Sequence, residues 1–298
     1  WEGNHWSKCS DTTGQKMAWT WLKSNSPKEA TVKKAQSLFQ SALLDLPELP
    51  GLPKASVIPL THVWLVVQDD GQYQIQKPDM GWGITYQVNA SLKITSEQTR
   101  YEPSIVRQDS LFAKFLQVSL PDKQVRQLVQ EYCGYTLLND ARFQCCQVWV
   151  GNGRNGKSVL MKIMEQLHAK VGTVNLDELS GFGLSALVDS SLIVCPETPK
   201  RGIDEQTFKR IVSGDSVSIS YKYKDAFRYN PMAKLIVACN RFPHFTDDSN
   251  GVWRRIQLVN WSVEVAQEQE VANLDQKIID GELDQVVNWC LEGLSRLL

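Results

Sequence analysis

Residues 147–160 read Gln-Val-Trp-Val-Gly-Asn-Gly-Arg-Asn-Gly-Lys-Ser-Val-Leu, and the loop inside them fits G-x-x-x-x-G-K-[ST] at Gly151, Gly156, Lys157 and Ser158. Glycines let a backbone take positive φ and close around a polyphosphate, with successive N–H groups pointing at its oxygens. The residues that would line such a cradle are Gly151, Asn152, Gly153, Arg154, Asn155, Gly156, Lys157, Ser158 and Val159. Lys157 would pair with the β and γ phosphates and Ser158 would offer its hydroxyl to Mg²⁺, while the following helix adds the positive end of its dipole. A Gly/Asn-rich surface turn ending in a helix cap shares this composition. It lacks a reason for the apolar strand-like run before the loop and the apolar-periodic run after it.

Further along the chain, residues of the types that serve phosphate chemistry recur at the ends of apolar runs. Ser191 to Pro196 is followed by Glu197, and a carboxylate at the end of a parallel strand beside a phosphate loop can hold Mg²⁺ through water or polarise an attacking water. Leu235 to Cys239 is followed by Asn240, whose amide could orient that water or sense a γ-phosphate. Asp247 and Asp248 open a polar loop, after which Trp253-Arg254-Arg255-Ile256 reads as a strand with its two arginines pointing opposite ways. One of them could then reach a neighbour's nucleotide, since guanidinium suits the charge of a phosphoryl transition state. Between these runs, Val217 to Tyr229 alternates like two strands around a tight turn, and Lys222, Tyr223, Lys224 and Arg228 make the hairpin basic and aromatic at once. Such a hairpin is often only a solvated edge. It is also what gripping nucleic-acid phosphates and touching bases requires.

The elements that must position these groups can be read from periodicity. Helices are expected around Met17 to Lys23 and Lys28 to Leu44, followed by a proline-stiffened connector from Leu46 to Pro53. Val57 to Val67 and Tyr73 to Gln76 flank an Asp70-Gly71 step that signals a hairpin. Leu111, Phe112, Phe115 and Leu116 mark one helix face, and Val125, Leu128, Val129 and Tyr132 mark another, which Gly134 should end. Val159, Ile163, Met164 and Leu167 give the helix after the loop its buried side. Phe208, Ile211 and Val212 do the same for a short helix broken at Gly214-Asp215, and Leu283 to Leu294 forms a closing helix.

A length of 298 residues suggests two domains, and a hydrophobic share of 42% is ample for a core. The formal net charge of −1 gives no whole-protein attraction to nucleic acid or anionic membrane, so any such binding must be local. Seven cysteines without a C-x-x-C pair read as reduced core residues. His5 and Cys9 could share a helix face, but two ligands do not make a zinc site. No apolar run reaches a membrane span and no signal peptide opens the chain, so a soluble, cytoplasmic protein is expected. The first hundred residues hold six of the ten tryptophans, which serve as core, interface or base-stacking residues. The chain opens with Trp rather than Met and stops inside an apolar-periodic segment, as a fragment of something longer would.

Taken in order, the loop from Gly151 to Ser158, Glu197, Ser213-Gly214-Asp215 before the basic hairpin, Asn240, and Asp247 with Arg254-Arg255 resemble the superfamily 3 helicases. The likeness is to the helicase part of phage, plasmid and poxvirus-type primase-helicases, and it covers nearly all of the chain after residue 55. The resemblance implies an α/β fold, an AAA+ type P-loop core with a parallel sheet, preceded by a mixed α+β region and followed by a small helical subdomain. The boundaries expected are an N-terminal segment over 1–55, a preceding domain with a helical collar over 56–140, the ATPase core over 141–262 and the closing subdomain over 263–298. It further implies a homo-oligomeric ring, usually hexameric, with ATP and Mg²⁺ held between subunits. Lys157 and Ser158 would bind phosphates and metal, and Glu197 would act on water. Asn240 would be the sensor, and Arg254 or Arg255 a finger acting in trans. The hairpin would track single-stranded or forked DNA 3′ to 5′, with a primase region or partner. Two positions depart from the pattern. Cys195-Pro196 stand where many such ATPases carry an acidic residue before Glu197, and no arginine lies near Ser220. A different class of reading, a nucleotide-gated origin-binding scaffold that does not translocate, fits those departures and the tryptophan-rich start.

Overall fold

The computed structural model describes the chain apart from Thr198, Lys200, Arg201 and residues 247–249, and the side chains of Phe182 and Gln269 are likewise outside the description. The chain divides into two compact units, residues 1–53 with 79–85, and residues 54–78 with 86–298.

The first unit holds two capped helices, α1 (Asp11–Asn25) and α2 (Val32–Asp45), whose Ser10 and Thr31 side chains accept the N–H groups of Thr13 and Lys34. They meet where Gly14 lies under the Phe39 ring, a place with no room for a Cβ. Leu22 and Ala35 are buried, whereas Met17 and Trp21 stay exposed. Residues 5–9 are not helical, so His5 and Cys9 do not share a helix face; His5 instead hydrogen-bonds Asn4.

The second unit opens with a four-stranded antiparallel sheet, β1 (Ser56–Pro59), β2 (Trp64–Val67), β3 (Tyr73–Gln76) and β4 (Arg100–Tyr101), in that spatial order. Val57 to Val67 is therefore two strands rather than one, folded so that Ile58 faces Leu65 across the ladder. Two helices follow, α3 (Leu111–Ser119), capped by Ser110, and α4 (Lys123–Thr136), capped by Asp122. Gly134 does not end α4. It sits mid-helix because a later helix crosses there so closely that a Cβ would strike Cys290 and Leu294.

The remainder alternates strand and helix. In chain order it comprises β5 (Cys146–Val150), α5 (Lys157–Leu167), β6 (Val171–Thr173), β7 (Leu192–Cys195) and α6 (Glu205–Ser213). There follow β8 (Val217–Ile219), β9 (Phe227–Tyr229), β10 (Lys234–Cys239), α7 (Asn250–Trp253), β11 (Ile256–Asn260) and α8 (Leu274–Leu297). Five strands form one parallel sheet in the order β11-β5-β10-β7-β6. The central strand β10 is buried throughout, and its side chains alternate between two cores: Ile236 and Ala238 face α3, α4, α5 and α8, while Leu235, Val237 and Cys239 face α6 and α7. The first of these cores also takes in Ile58, Leu65 and Tyr73, so the small sheet, the parallel sheet and α8 share one apolar interior. Five of the seven cysteines are buried and all seven are free thiols. No helix among the described residues is long and apolar enough to cross a membrane.

Candidate nucleotide site

The loop between β5 and α5 leaves the sheet at its carboxyl edge, where open α/β folds place their ligands. Its conformation differs from the expectation that glycines supply the left-handed turns. Only Gly156 (φ 89°) and Arg154 (φ 60°) are left-handed among the loop residues. Gly151 is required for close approach instead: a Cβ there would run into the Trp261 carbonyl and come within 2.6 Å of Asn155 Nδ2. A Cβ on Gly156 would strike Ser119 Oγ and lie 2.8 Å from the Phe115 ring. The loop is thus clamped between the end of β11 and helix α3.

Lys157 is buried, and its ammonium donates to Gly151 O at 2.6 Å, Asn155 Oδ1 at 3.0 Å and Asn152 O at 3.3 Å. Burial holds its pKa below the usual lysine range. The charge is therefore pre-positioned by the loop's own oxygens and little hydrated, which is the state in which pairing with a phosphate gains most. Asn155 also donates to Trp261 O at 3.2 Å, and Trp261 N–H donates to Val150 O at 2.7 Å. Ser158 is exposed at the start of α5.

Beside the loop lies a cavity of about 630 Å³, a volume suited to a small-molecule ligand. Gly156, Ser158 and Val159 form its side on the β5–α5 connection, and Phe115, Val118 and Val271 are among its apolar walls. Neither this cavity nor the residues 262–273 that wall it carry a motif, and no local sequence signal marks them.

Asn240 follows the last residue of β10, which pairs with Val150, so it stands beside Gly151 at the same edge. Glu197 lies two residues beyond Cys195 on β7, on the far side of β10 and exposed. Strand β7 itself stands two strand spacings, about 10 Å, from β5, which leads into the loop. The paired arginines are not on a strand. Trp253 closes the single turn of α7, Arg254 and Arg255 form the turn after it, and β11 begins at Ile256. Arg255 is buried, its Nε donating to Ser213 Oγ at 2.7 Å and its Nη1 to Gly251 O at 2.5 Å, whereas Arg254 is exposed. Asp247 and Asp248 lie outside the described residues. No group of three or more metal-binding side chains occurs among the described residues.

In the hairpin, Lys222, Lys224 and Arg228 are exposed, and Tyr223 projects at the tip with 93% of its surface accessible and φ 64°. Tyr221 stacks on Phe227 at 5.7 Å, and the Tyr229 hydroxyl accepts the Asp189 N–H, tying the hairpin base to the sheet's flank.

Residues 149–255 match a family of unknown function, DUF5906. A protein of Acanthamoeba polyphaga mimivirus named "Putative helicase" is 28% identical over 156 residues, 49% of this chain and 16% of its own length. One of Invertebrate iridescent virus 6 with the same designation is 27% identical over 193 residues, 59% of this chain and 19% of its own. This chain is a relative of viral proteins named as helicases. It spans less than a quarter of either relative's length. Among solved structures, the apo C-terminal region of NrS-1 superposes with a TM-score of 0.52 at 11% identity, covering 80% of this chain and 68% of that one, which shows a shared fold.

Proposed function

We propose that this chain is the ATP-hydrolysing motor of a DNA helicase, and that it works as a ring with nucleotide between subunits. The observation that carries the reading is the buried Lys157 in a clamped phosphate loop that opens on the 630 Å³ cavity. The residues fit ATP with Mg²⁺: helix α5 presents its N-terminus, Ser158 is free to reach a metal, and the cavity can take a nucleoside. Mg²⁺ keeps most of its ligands as water and phosphate, so Ser158 with Glu197 acting through water is a sufficient protein contribution, and the metal supplies neutralisation of phosphate charge. Lys157 binds the β and γ phosphates, Glu197 polarises the attacking water and Asn240 orients it. Arg254, the exposed member of its pair, reaches the neighbouring subunit's nucleotide. The viral helicase relatives and the exposed basic hairpin support DNA as the partner, with Lys222, Tyr223, Lys224 and Arg228 gripping one strand. Travel 3′ to 5′, a hexameric ring, replication of a phage, plasmid or viral element, and linkage to a primase region complete the proposal.

The test is DNA-stimulated ATP hydrolysis together with fork unwinding. Hydrolysis that survives unchanged in Lys157→Ala or Glu197→Ala would overturn the motor reading. The absence of an arginine near Ser220 favours one alternative, a nucleotide-gated scaffold on origin DNA. Robust hydrolysis without strand separation would decide for it.

A further inference from the structure

The segment from the end of β11 to the start of α8, residues 262–273, forms a strap that supplies Val265, Gln267, Glu270, Val271 and Ala272 to the cavity wall. Beyond Trp261, whose carbonyl accepts from Asn155 Nδ2, its hydrogen bonds to the phosphate loop among the described residues fall on Arg154. Arg154 O accepts the Val265 N–H at 2.8 Å, and Arg154 Nε donates to Glu270 Oε1 at 2.9 Å. Arg154 holds a left-handed backbone to do so, a conformation that costs a non-glycine residue about 1 kcal/mol or more. Its guanidinium is thereby turned to the strap, although it belongs to a loop whose ligand is expected to be anionic.

We infer that Glu270 is a positioning residue for the nucleoside: by engaging Arg154 it latches the strap against the cavity. The inference rests on the nucleotide reading of the loop. The division of labour follows from geometry. Lys157 has three oxygen partners inside the loop and needs no help from the strap, whereas the strap has, among the described residues, one charged tie to the loop. Loosening that tie should therefore be felt by the base and sugar and not by the phosphates. Both side chains are about half exposed, so the effect is that of a surface pair and is screened by salt.

The experiment compares binding of ATP and of inorganic tripolyphosphate, each with Mg²⁺, by the wild-type chain, Glu270→Gln, Arg154→Gln and the double variant. Unfolding midpoints are measured on the same samples. Glu270→Gln should weaken ATP about threefold at low salt, leave tripolyphosphate unchanged, and lose its effect near 1 M salt. Arg154→Gln should behave alike, and the double variant should also be about threefold weaker rather than ninefold, since the two act as one contact. Unaltered ATP binding in Glu270→Gln would overturn the latch. So would parallel weakening of both ligands, or a loss of tripolyphosphate binding in Arg154→Gln, which would assign that guanidinium to the phosphates. A wild-type chain that binds neither ligand would sink the nucleotide site itself, a failure distinct from these.

Discussion

Arg255 Nε donates to Ser213 Oγ at 2.7 Å inside the fold, while Arg254, its neighbour in the chain, faces solvent. The contact joins the turn before β11 to the end of α6, and burial with the nearby Arg254 charge lowers the pKa of Arg255. A guanidinium so engaged braces the fold that carries it. Arg255→Ala should lower stability by about 1 to 3 kcal/mol, the cost of stranding buried polar partners. Arg254→Ala should leave the unfolding midpoint in place and slow DNA-stimulated ATP hydrolysis about 10³-fold or more. Mixing Arg254→Ala with Lys157→Ala subunits should restore activity if the two groups meet across an interface. Failure at every mixing ratio would remove the trans assignment.

Gly156 offers a separate check on the loop. Its φ of 89° is strained for any L side chain, and a Cβ would meet both Ser119 and Phe115 of α3. Gly156→Ala should cost about 1 to 3 kcal/mol in stability and weaken ATP and tripolyphosphate alike. Adding Ser119→Gly should recover part of that loss, because it relieves the Ser119 contact and leaves the Phe115 contact and the backbone strain. No recovery would mean that α3 does not brace the loop.

How much of this was legible before folding follows the distance over which each feature is specified. The strand, loop and helix around Gly151 to Ser158 are specified locally, so those residues sufficed to place the elements, as did the apolar runs that precede Glu197 and Asn240. The use made of those eight residues is not local. Gly151 is small because Trp261 O presses on it, and Arg154 is left-handed while holding Glu270, a partner 116 positions away. Neither has a sequence signature. Gly134 read as a helix end because glycine is a poor helix former, but the closeness of α8 decides its place. The two arginines read as strand residues because apolar residues flank the pair on both sides. The turn of α7 and the Ser213 contact fix them otherwise.

The hairpin separates phosphate gripping from base contact. Lys222 and Lys224 are exposed cations on either side of Tyr223, whose ring is nearly free of the fold. Lys222→Ala or Lys224→Ala should reduce the slope of log affinity against log salt for single-stranded DNA by about 0.7 each. Tyr223→Ala should leave that slope alone and cost about 1 to 3 kcal/mol if the ring stacks on bases. Binding curves at four salt concentrations distinguish the two effects. Unchanged slopes in both lysine variants would make the hairpin a solvated edge.

His168 caps the far end of α5 and ties that helix to its surroundings. It is buried, with Nε2 3.1 Å from Thr136 Oγ1 and Nδ1 3.1 Å from Ser191 Oγ. Burial, aided by the Lys234 charge, pushes its pKa down to about 3 from 6.5. The folded chain thus keeps the imidazole neutral between about pH 6.5 and 3, where the unfolded chain protonates it. Stability from this group is complete above pH 6.5 and is lost as pH falls through that window, by at most about 1.4 kcal/mol per pH unit. His168→Gln removes the titration but can keep hydrogen bonds to the two hydroxyls. The wild type's stability advantage over this variant should therefore shrink by about 2 kcal/mol between pH 7.5 and pH 5.0 in urea unfolding. The carboxylates titrate equally in both proteins, so they cancel in that difference. A gap that does not change with pH would show that the imidazole is not held neutral, and with it that the end of α5 is open to water.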